Sequence, residues 1–202
     1  MKIVLATQNP GKLKELNEMA GQQSAVHFVL APPDFDAVED GVTYLENALI
    51  KARVAALMTG EFALADDSGI EVDALDGRPG IHSARYCEGS DRDRRLKLLD
   101  ELKDVPEPKR GAAFVCAIAL CAPSGEMVHS TFARWPGSIT FSEKGTNGFG
   151  FDPIFLIPDK GQTSAEISGA DKNLLSHRGL AFAEMLSYIK NTLLKDTSAY
   201  IG

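Results

Sequence analysis

Two adjacent carboxylates, Asp66 and Asp67, leave the apolar run at residues 62–65 and meet Ser68 and Gly69. On an extended chain successive side chains point to opposite sides, so one carboxylate can reach a magnesium ion or a water while the other anchors the backbone. That suits a single-carboxylate base better than a proton shared by a pair. The same residues also make an ordinary Asx-type turn that caps a strand. Glu39, in Glu39-Asp40-Gly41, is a further acidic candidate on a loop, or simply a solvated charge. Upstream, Thr7-Gln8-Asn9-Pro10-Gly11-Lys12 lies between a strand and a helix. There free backbone N–H groups and the helix dipole favour an anion, and Lys12 adds a full positive charge. A capped helix with an exposed lysine reads the same way. The segment is not a Walker A loop, because Ala6 precedes Thr7 and Leu13 follows Gly11-Lys12.

Two more constellations lie in the C-terminal half. Gly145-Thr146-Asn147-Gly148-Phe149-Gly150-Phe151-Asp152-Pro153 is glycine-rich and carries two aromatic rings ahead of a strand. Glycine lets a backbone approach a ligand, an aromatic face can stack on a base, and Asp152 can accept from a base edge. The alternative is a hairpin turn with core phenylalanines. The order G-x-x-G-x-G, followed by a strand, excludes a dinucleotide fingerprint. Lys172, Ser176, His177 and Arg178 fall in a helical stretch, where Lys172 and Ser176 share a face and planar donors can grip phosphate or a base carbonyl. A surface charge patch is the competing reading.

The histidines at 27, 82, 129 and 177 show no paired metal-ligand spacing, and no serine sits in a G-x-S-x-G elbow, which disfavours zinc and serine-hydrolase chemistry. A chain of 202 residues, 44% hydrophobic and 24% charged, can bury a sizeable core. Its net charge of -7 opposes binding along a nucleic acid, so a phosphate partner must be held locally. No window reaches the roughly 18 apolar residues of a membrane helix, and the first six residues are too short for a secretory segment. Three cysteines without C-x-x-C spacing suit a reducing compartment, so the expected location is the cytoplasm.

The elements that must position these groups follow from periodicity and caps. A strand at 3–6 runs into a helix capped by Asn9-Pro10, with Leu13, Leu16 and Met19 at helical spacing. Thr43 and Glu46 form a capping-box pair for a second helix, whose predicted buried face is Leu45, Leu49, Ala52 and Ala56. A strand at 62–65 is expected to end at the acidic pair, with extension resuming at 70–72. Ser90 and Asp93 open a charged helix lined by Leu96, Leu99 and Leu102, its basic residues facing solvent. Runs at 112–121 and 127–135 around Pro123-Ser124-Gly125 read as a hairpin, with a third run at 138–141 and another strand at 154–157. One long helix is expected from 172 to 195. The sum is an α/β fold, a mixed sheet with flanking helices, in a single domain spanning 1–202 without repeats or a visible linker.

The motifs in order, T-x-N-x-x-K, E-N-A, A-D-D-S-G, P-G-I-x-S-A-R-Y, G-F-G-x-D-P and K-x-x-x-S-H-R-G, span nearly the whole chain. Their conjunction resembles the inosine triphosphate pyrophosphatase family, the XTP/dITP pyrophosphatases, which hydrolyse non-standard purine nucleoside triphosphates to the monophosphate and pyrophosphate. The resemblance implies an elongated fold of two lobes around a nucleotide-binding cleft, a homodimer and a magnesium requirement. It makes Thr7, Gln8, Asn9, Pro10, Gly11 and Lys12 the triphosphate loop, Asp67 the general base and a metal ligand, Glu39 the second metal ligand, and Ser68 a substrate neighbour. Phe149, Gly150, Phe151 and Asp152 become the base-side loop, with Phe149 stacked on the purine, and Lys172, His177 and Arg178 the remaining nucleotide contacts. Phe151 stands where the family often has tryptophan or tyrosine, and the Gln8-Pro10 variant replaces a familiar glycine. Two rival readings are a pyrophosphatase for modified pyrimidine or methylated nucleotides, and a catalytically silent nucleotide sensor.

Overall fold

The computed structural model describes residues 1–21 and 25–195. In chain order the elements are β1 (Lys2–Leu5), α1 (Pro10–Ala20), β2 (His27–Leu30), α2 (Tyr44–Thr59), β3 (Phe62–Val72), β4 (Pro79–Gly80), α3 (Asp91–Glu101), β5 (Gly111–Cys121), β6 (Met127–Ile139), β7 (Phe155–Ile157), β8 (Gln162–Thr163), α4 (Gly169–Leu175) and α5 (His177–Tyr188). Strand order in the sheet is β2-β1-β3-β5-β6-β7-β8, with β4 paired to β3. β1 runs parallel to β2 and β3, whereas the β3–β4, β6–β7 and β7–β8 pairs are antiparallel. The sheet is therefore mixed and the fold α/β, as the alternation of patterns predicts. By contact density the chain divides into two units, one of residues 1–67, 117–132 and the segment from Leu180, the other of residues 68–116 and 133–179.

In the first unit, small side chains let helix and strands approach closely. Ala48, Ala52, Ala55 and Ala56 of α2 pack with Val4, Ala6, Ala63, Ala65 and Ala119. Of the predicted helix face, Ala52 and Ala56 are fully buried and Leu49 packs partly buried against this cluster, whereas Leu45 is 36% exposed; Tyr44, Asn47, Ala48 and Ala55 complete the buried side of α2. The caps follow the sequence. Asn9 accepts from the amides of Gly11 and Lys12, and Thr43 and Glu46 close a reciprocal box.

The second unit is built around Ile70, Leu98, Leu102, Phe114, Trp135, Ile139, Phe155 and their neighbours. Here several boundaries differ from expectation. β3 does not stop at the acidic pair but continues through it to Val72. Gly69 is a close-approach glycine, because a Cβ there would lie 2.2 Å from the Gly80 carbonyl oxygen. Ser83 completes this corner, accepting from the Ile70 amide at 2.9 Å and donating to Gly80 O at 2.6 Å. The runs at 127–135 and 138–141 belong to one strand, β6, which ends at Ile139. In α3 the buried residue is Leu98, the residue that ends the helix, Leu102, is also buried, and Leu96 is exposed. The long C-terminal helix is interrupted: Ser176 adopts an extended conformation between α4 and α5. Its amide bonds the Lys172 carbonyl and its hydroxyl accepts from the Gly179 amide, so it ends one helix and caps the next. Gly179 is required at this corner, since a Cβ would fall 1.8 Å from the Asn173 carbonyl oxygen.

Candidate active site

Within the first unit, strand β3 delivers its two carboxylates to different partners. Asp66 pairs with Lys12 of α1 at 2.7 Å, and Asp67 receives Lys51 at 3.4 Å and Asn47 at 3.3 Å, both from α2. Neighbouring residues serving separate partners is what strand alternation predicts. Lys51 also reaches Glu39 at 3.1 Å, so Glu39 and Asp67 share one ammonium. Asn47 is fixed from the other side by the Gly41 amide, which donates to its side-chain oxygen at 2.9 Å. Asn47 and Lys51 are one turn apart, and the Thr43–Glu46 box sets where that turn begins.

Electrostatics at this cluster depends on burial. Asp67 is lifted above the usual carboxylate range, chiefly because burial penalises its charge and further because Glu39 lies near; Lys51 and Asn47 oppose the shift. Burial also works against the charge on Lys51, but Asp66, Asp67 and Glu39 outweigh it and hold the ammonium above its ordinary value. A raised carboxyl that a cation and an amide keep oriented has the properties of a proton acceptor.

The helix-start loop departs from expectation in one respect. Its amides are largely engaged by its own side chains: Thr7 accepts from the Asn9 amide at 3.2 Å, and Asn9 accepts from Gly11 at 2.8 Å and Lys12 at 3.4 Å. The Gln8 amide group donates to the carbonyls of Pro32 and Pro33. Gln8 thus braces the 32–35 segment, and the positive character of the loop resides in the Lys12 ammonium. Pro10 and Gly11 are exposed at the start of α1.

The second unit gathers all eight of its predicted site residues, Ser68, Phe149, Gly150, Phe151, Asp152, Lys172, His177 and Arg178, around one cavity of about 140 Å³. That is the scale of a ring system rather than of the roughly 300–1,000 Å³ that encloses a drug-sized ligand. Phe149 is 57% exposed, with Lys172 Nζ 5.0 Å and the Arg178 guanidinium 5.4 Å from its ring centroid. Arg178 donates to the Ser68 hydroxyl at 3.1 Å. His177 is buried and stacks on Phe114 at 4.8 Å, with Trp135 at 6.5 Å. Asp152 is deeply buried, and both its oxygens meet protein donors: Ser164 on one, Lys172 and the Phe149 amide on the other. It organises the loop. Phe151 is a core residue that also borders the cavity.

Sequence reasoning missed Lys51, Asn47, Asp91, Arg94 and Arg95. The signal for the first two was present, because two polar residues one turn apart interrupt an alanine-rich helix face. Arg95 is turned inward, its side chain 14% exposed, and not toward solvent as expected. Among the described residues no group of three or more His, Cys, Asp or Glu is placed to hold a metal. Glu39 and Asp67 nevertheless fit a magnesium ion, which is commonly held by one or two carboxylates together with substrate phosphates. Both offer hard oxygens to a point where they already share a cation. Among the described residues no helix is long and apolar enough to cross a membrane.

Comparison with known proteins gives concordant matches. The model of the Ham1 family matches residues 3–188. A dITP/XTP pyrophosphatase from Geobacter sulfurreducens is 48% identical over 195 residues, covering 93% of this chain and 96% of that protein. One from Photorhabdus laumondii is 44% identical over 194 residues, covering 94% and 98%. A solved HAM1 protein from Coxiella burnetii superposes with a TM-score of 0.87 at 38% identity, covering 95% of this chain and all of that one.

Proposed function

This chain belongs to the Ham1 family, and from that premise we propose that it hydrolyses non-standard purine nucleoside triphosphates, dITP, ITP and XTP, to the monophosphate and pyrophosphate. The observation that carries the chemistry is the state of Asp67, a partly buried carboxyl raised above its usual range and oriented by Lys51 and Asn47, one residue from the Asp66–Lys12 pair. In this reading Asp67 takes a proton from water as the water oxygen bonds to the α-phosphorus and the bond to pyrophosphate breaks. Lys12 neutralises phosphate oxygens, and Lys51 holds Asp67 and Glu39 in place. Glu39 and Asp67 would hold a magnesium ion, which would supply charge neutralisation for the polyphosphate.

The cavity of the second unit takes the base. Phe149 offers an aromatic face, and His177 and Arg178 direct donors at the 6-oxo oxygen. Adenine presents an amino group instead, which would leave those donors unpaired, and a site built on such bonds rejects the wrong base by orders of magnitude. The same reading makes the protein a cytoplasmic homodimer that binds neither nucleic acid nor membrane. The net charge of -7 supports the absence of nucleic-acid binding, and three free thiols support a reducing compartment.

Pyrophosphate release from ITP, XTP, dTTP and ATP with Mg²⁺, and with EDTA in its place, tests the proposal. Turnover of ITP and XTP but not ATP or dTTP, lost in EDTA, is expected. Asp67→Asn should abolish turnover and retain nucleotide binding. Equal hydrolysis of ATP and ITP would overturn the selectivity, and near-normal turnover by Asp67→Asn would remove it as the base. Binding of ITP without release by the unaltered protein would favour the sensor reading.

A further inference from the structure

The base-side loop is held by a helix that no motif connects to it. Gly150, the residue after Phe149, has a left-handed backbone, φ +57°, and makes hydrogen bonds at both of its peptide groups to α3. Its amide donates to Asp91 Oδ2 at 2.9 Å, and its carbonyl accepts from Arg95 Nη1 at 2.7 Å. Arg95 is itself fixed, its Nε bonded to Glu143 at 2.6 Å, and Glu143 also receives Arg92 at 3.2 Å. On the other side of the ring, the Phe149 amide is tied to Asp152 at 2.9 Å. Phe149 is thus a largely exposed ring on a backbone fixed at both ends, and such fixing removes the ordering cost that a mobile loop would incur when a base stacks on it.

We propose that Asp91 and Arg95 are positioning residues for the base: by gripping the Gly150 peptide groups from α3 they hold the Phe149 ring in its stacking orientation and so set affinity for the purine. Neither acts on the phosphates. Arg95 serves through a forked side chain, with one nitrogen on Glu143 and another on the Gly150 carbonyl, a geometry lysine cannot reproduce. Asp91 needs only an oxygen facing the Gly150 amide. The inference rests on the reading that Phe149 stacks on the base, so the experiment includes that residue.

Steady-state kinetics with ITP, together with thermal melts, would be measured for Phe149→Ala, Asp91→Ala, Asp91→Asn, Arg95→Ala and Arg95→Lys. Asp91→Ala and Arg95→Ala should raise KM about tenfold, with kcat within about twofold, because losing a charge-assisted bond to the loop weakens binding before the chemical step. Asp91→Asn, which keeps an oxygen for Gly150, should recover most of the affinity. Arg95→Lys should melt near the unaltered protein, since it can keep the Glu143 pair, yet still show the raised KM; it carries the test if Arg95→Ala does not fold. A raised KM in Phe149→Ala with unchanged KM in the Asp91 and Arg95 variants would overturn the clamp and leave the base pocket standing. Loss of kcat at constant KM would also overturn it. An unchanged KM in Phe149→Ala would instead remove the stacking reading, and the clamp with it.

Discussion

Among the described residues Arg110 is the largest fully buried side chain, 1% exposed, and it faces carbonyl groups. Its Nε donates to Ile139 O at 2.8 Å, Nη1 to Leu102 O at 2.6 Å and Nη2 to Thr140 O at 2.8 Å, with Val105 O at 3.3 Å from Nη1. The guanidinium thereby joins the end of α3 to the end of β6, and burial pushes its pKa down. Replacing it with methionine keeps much of the volume but takes the guanidinium donors from the Ile139 and Thr140 carbonyls, whereas Leu102 O keeps the Val105 amide at 3.0 Å. At about 1–3 kcal/mol for each of these two carbonyls, the gross loss is roughly 2–6 kcal/mol. Relief of the desolvated cation and better apolar packing return part of that, so we expect a net loss of about 3 kcal/mol. For a chain of this size that lowers Tm by roughly 6–12 °C. Urea unfolding followed by Trp135, the single tryptophan and a member of the same core, reads the change directly. None of these contacts borders the base cavity, so KM for ITP should stay within about twofold of normal at 25 °C. A stability loss below about 1 kcal/mol would refute the accounting, because it would mean that the carbonyls find other donors or were never dependent on Arg110.

Two further outcomes follow from the acidic cluster. Asp67 has a folded-state pKa raised by burial and then by Glu39. Its contribution to stability is therefore fully present below its unfolded pKa and is lost as pH rises through the folded value. In metal-free buffer Asp67→Asn should consequently melt above the unaltered protein at neutral pH, with the gap closing as pH falls through that folded value; a lower melting point at neutral pH would contradict the cause assigned to the shift. Lys51→Met leaves Glu39 and Asp67 facing each other without their shared cation, so ITP turnover should fall about 100-fold or more. The pH–rate profile should show its acid limb displaced upward, since the proton on Asp67 becomes harder to remove, and an unmoved limb would show that Lys51 does not govern it.

What the sequence disclosed and what it concealed divide by range. Asn9-Pro10, Thr43 with Glu46 and Ser90 with Asp93 were legible as helix starts because each cap closes within three residues, inside the span that local sequence determines. The residues of the base cavity were legible as candidates because glycine, aromatic and planar-cation chemistry is recognisable without coordinates. Long-range contacts had no such signature. Asp66-Asp67-Ser68-Gly69 has the composition of a turn, but pairing within the sheet carries β3 through it, and the Gly80 carbonyl approaches Gly69 so closely that this residue must lack a side chain. Arg95 was read as solvent-facing by type, and Lys51 drew no reading. Each is drawn inward by acceptors distant along the chain: Glu39 and Asp67, 12 and 16 residues away, for Lys51, and Glu143 and Gly150, 48 and 55 residues away, for Arg95. Both are cations whose inward placement costs desolvation, and both are held by more than one acceptor that the site itself requires in a fixed place. In this protein, then, an inward-turned cation on an amphipathic helix marks where the fold holds functional groups still, and residue type alone does not reveal it.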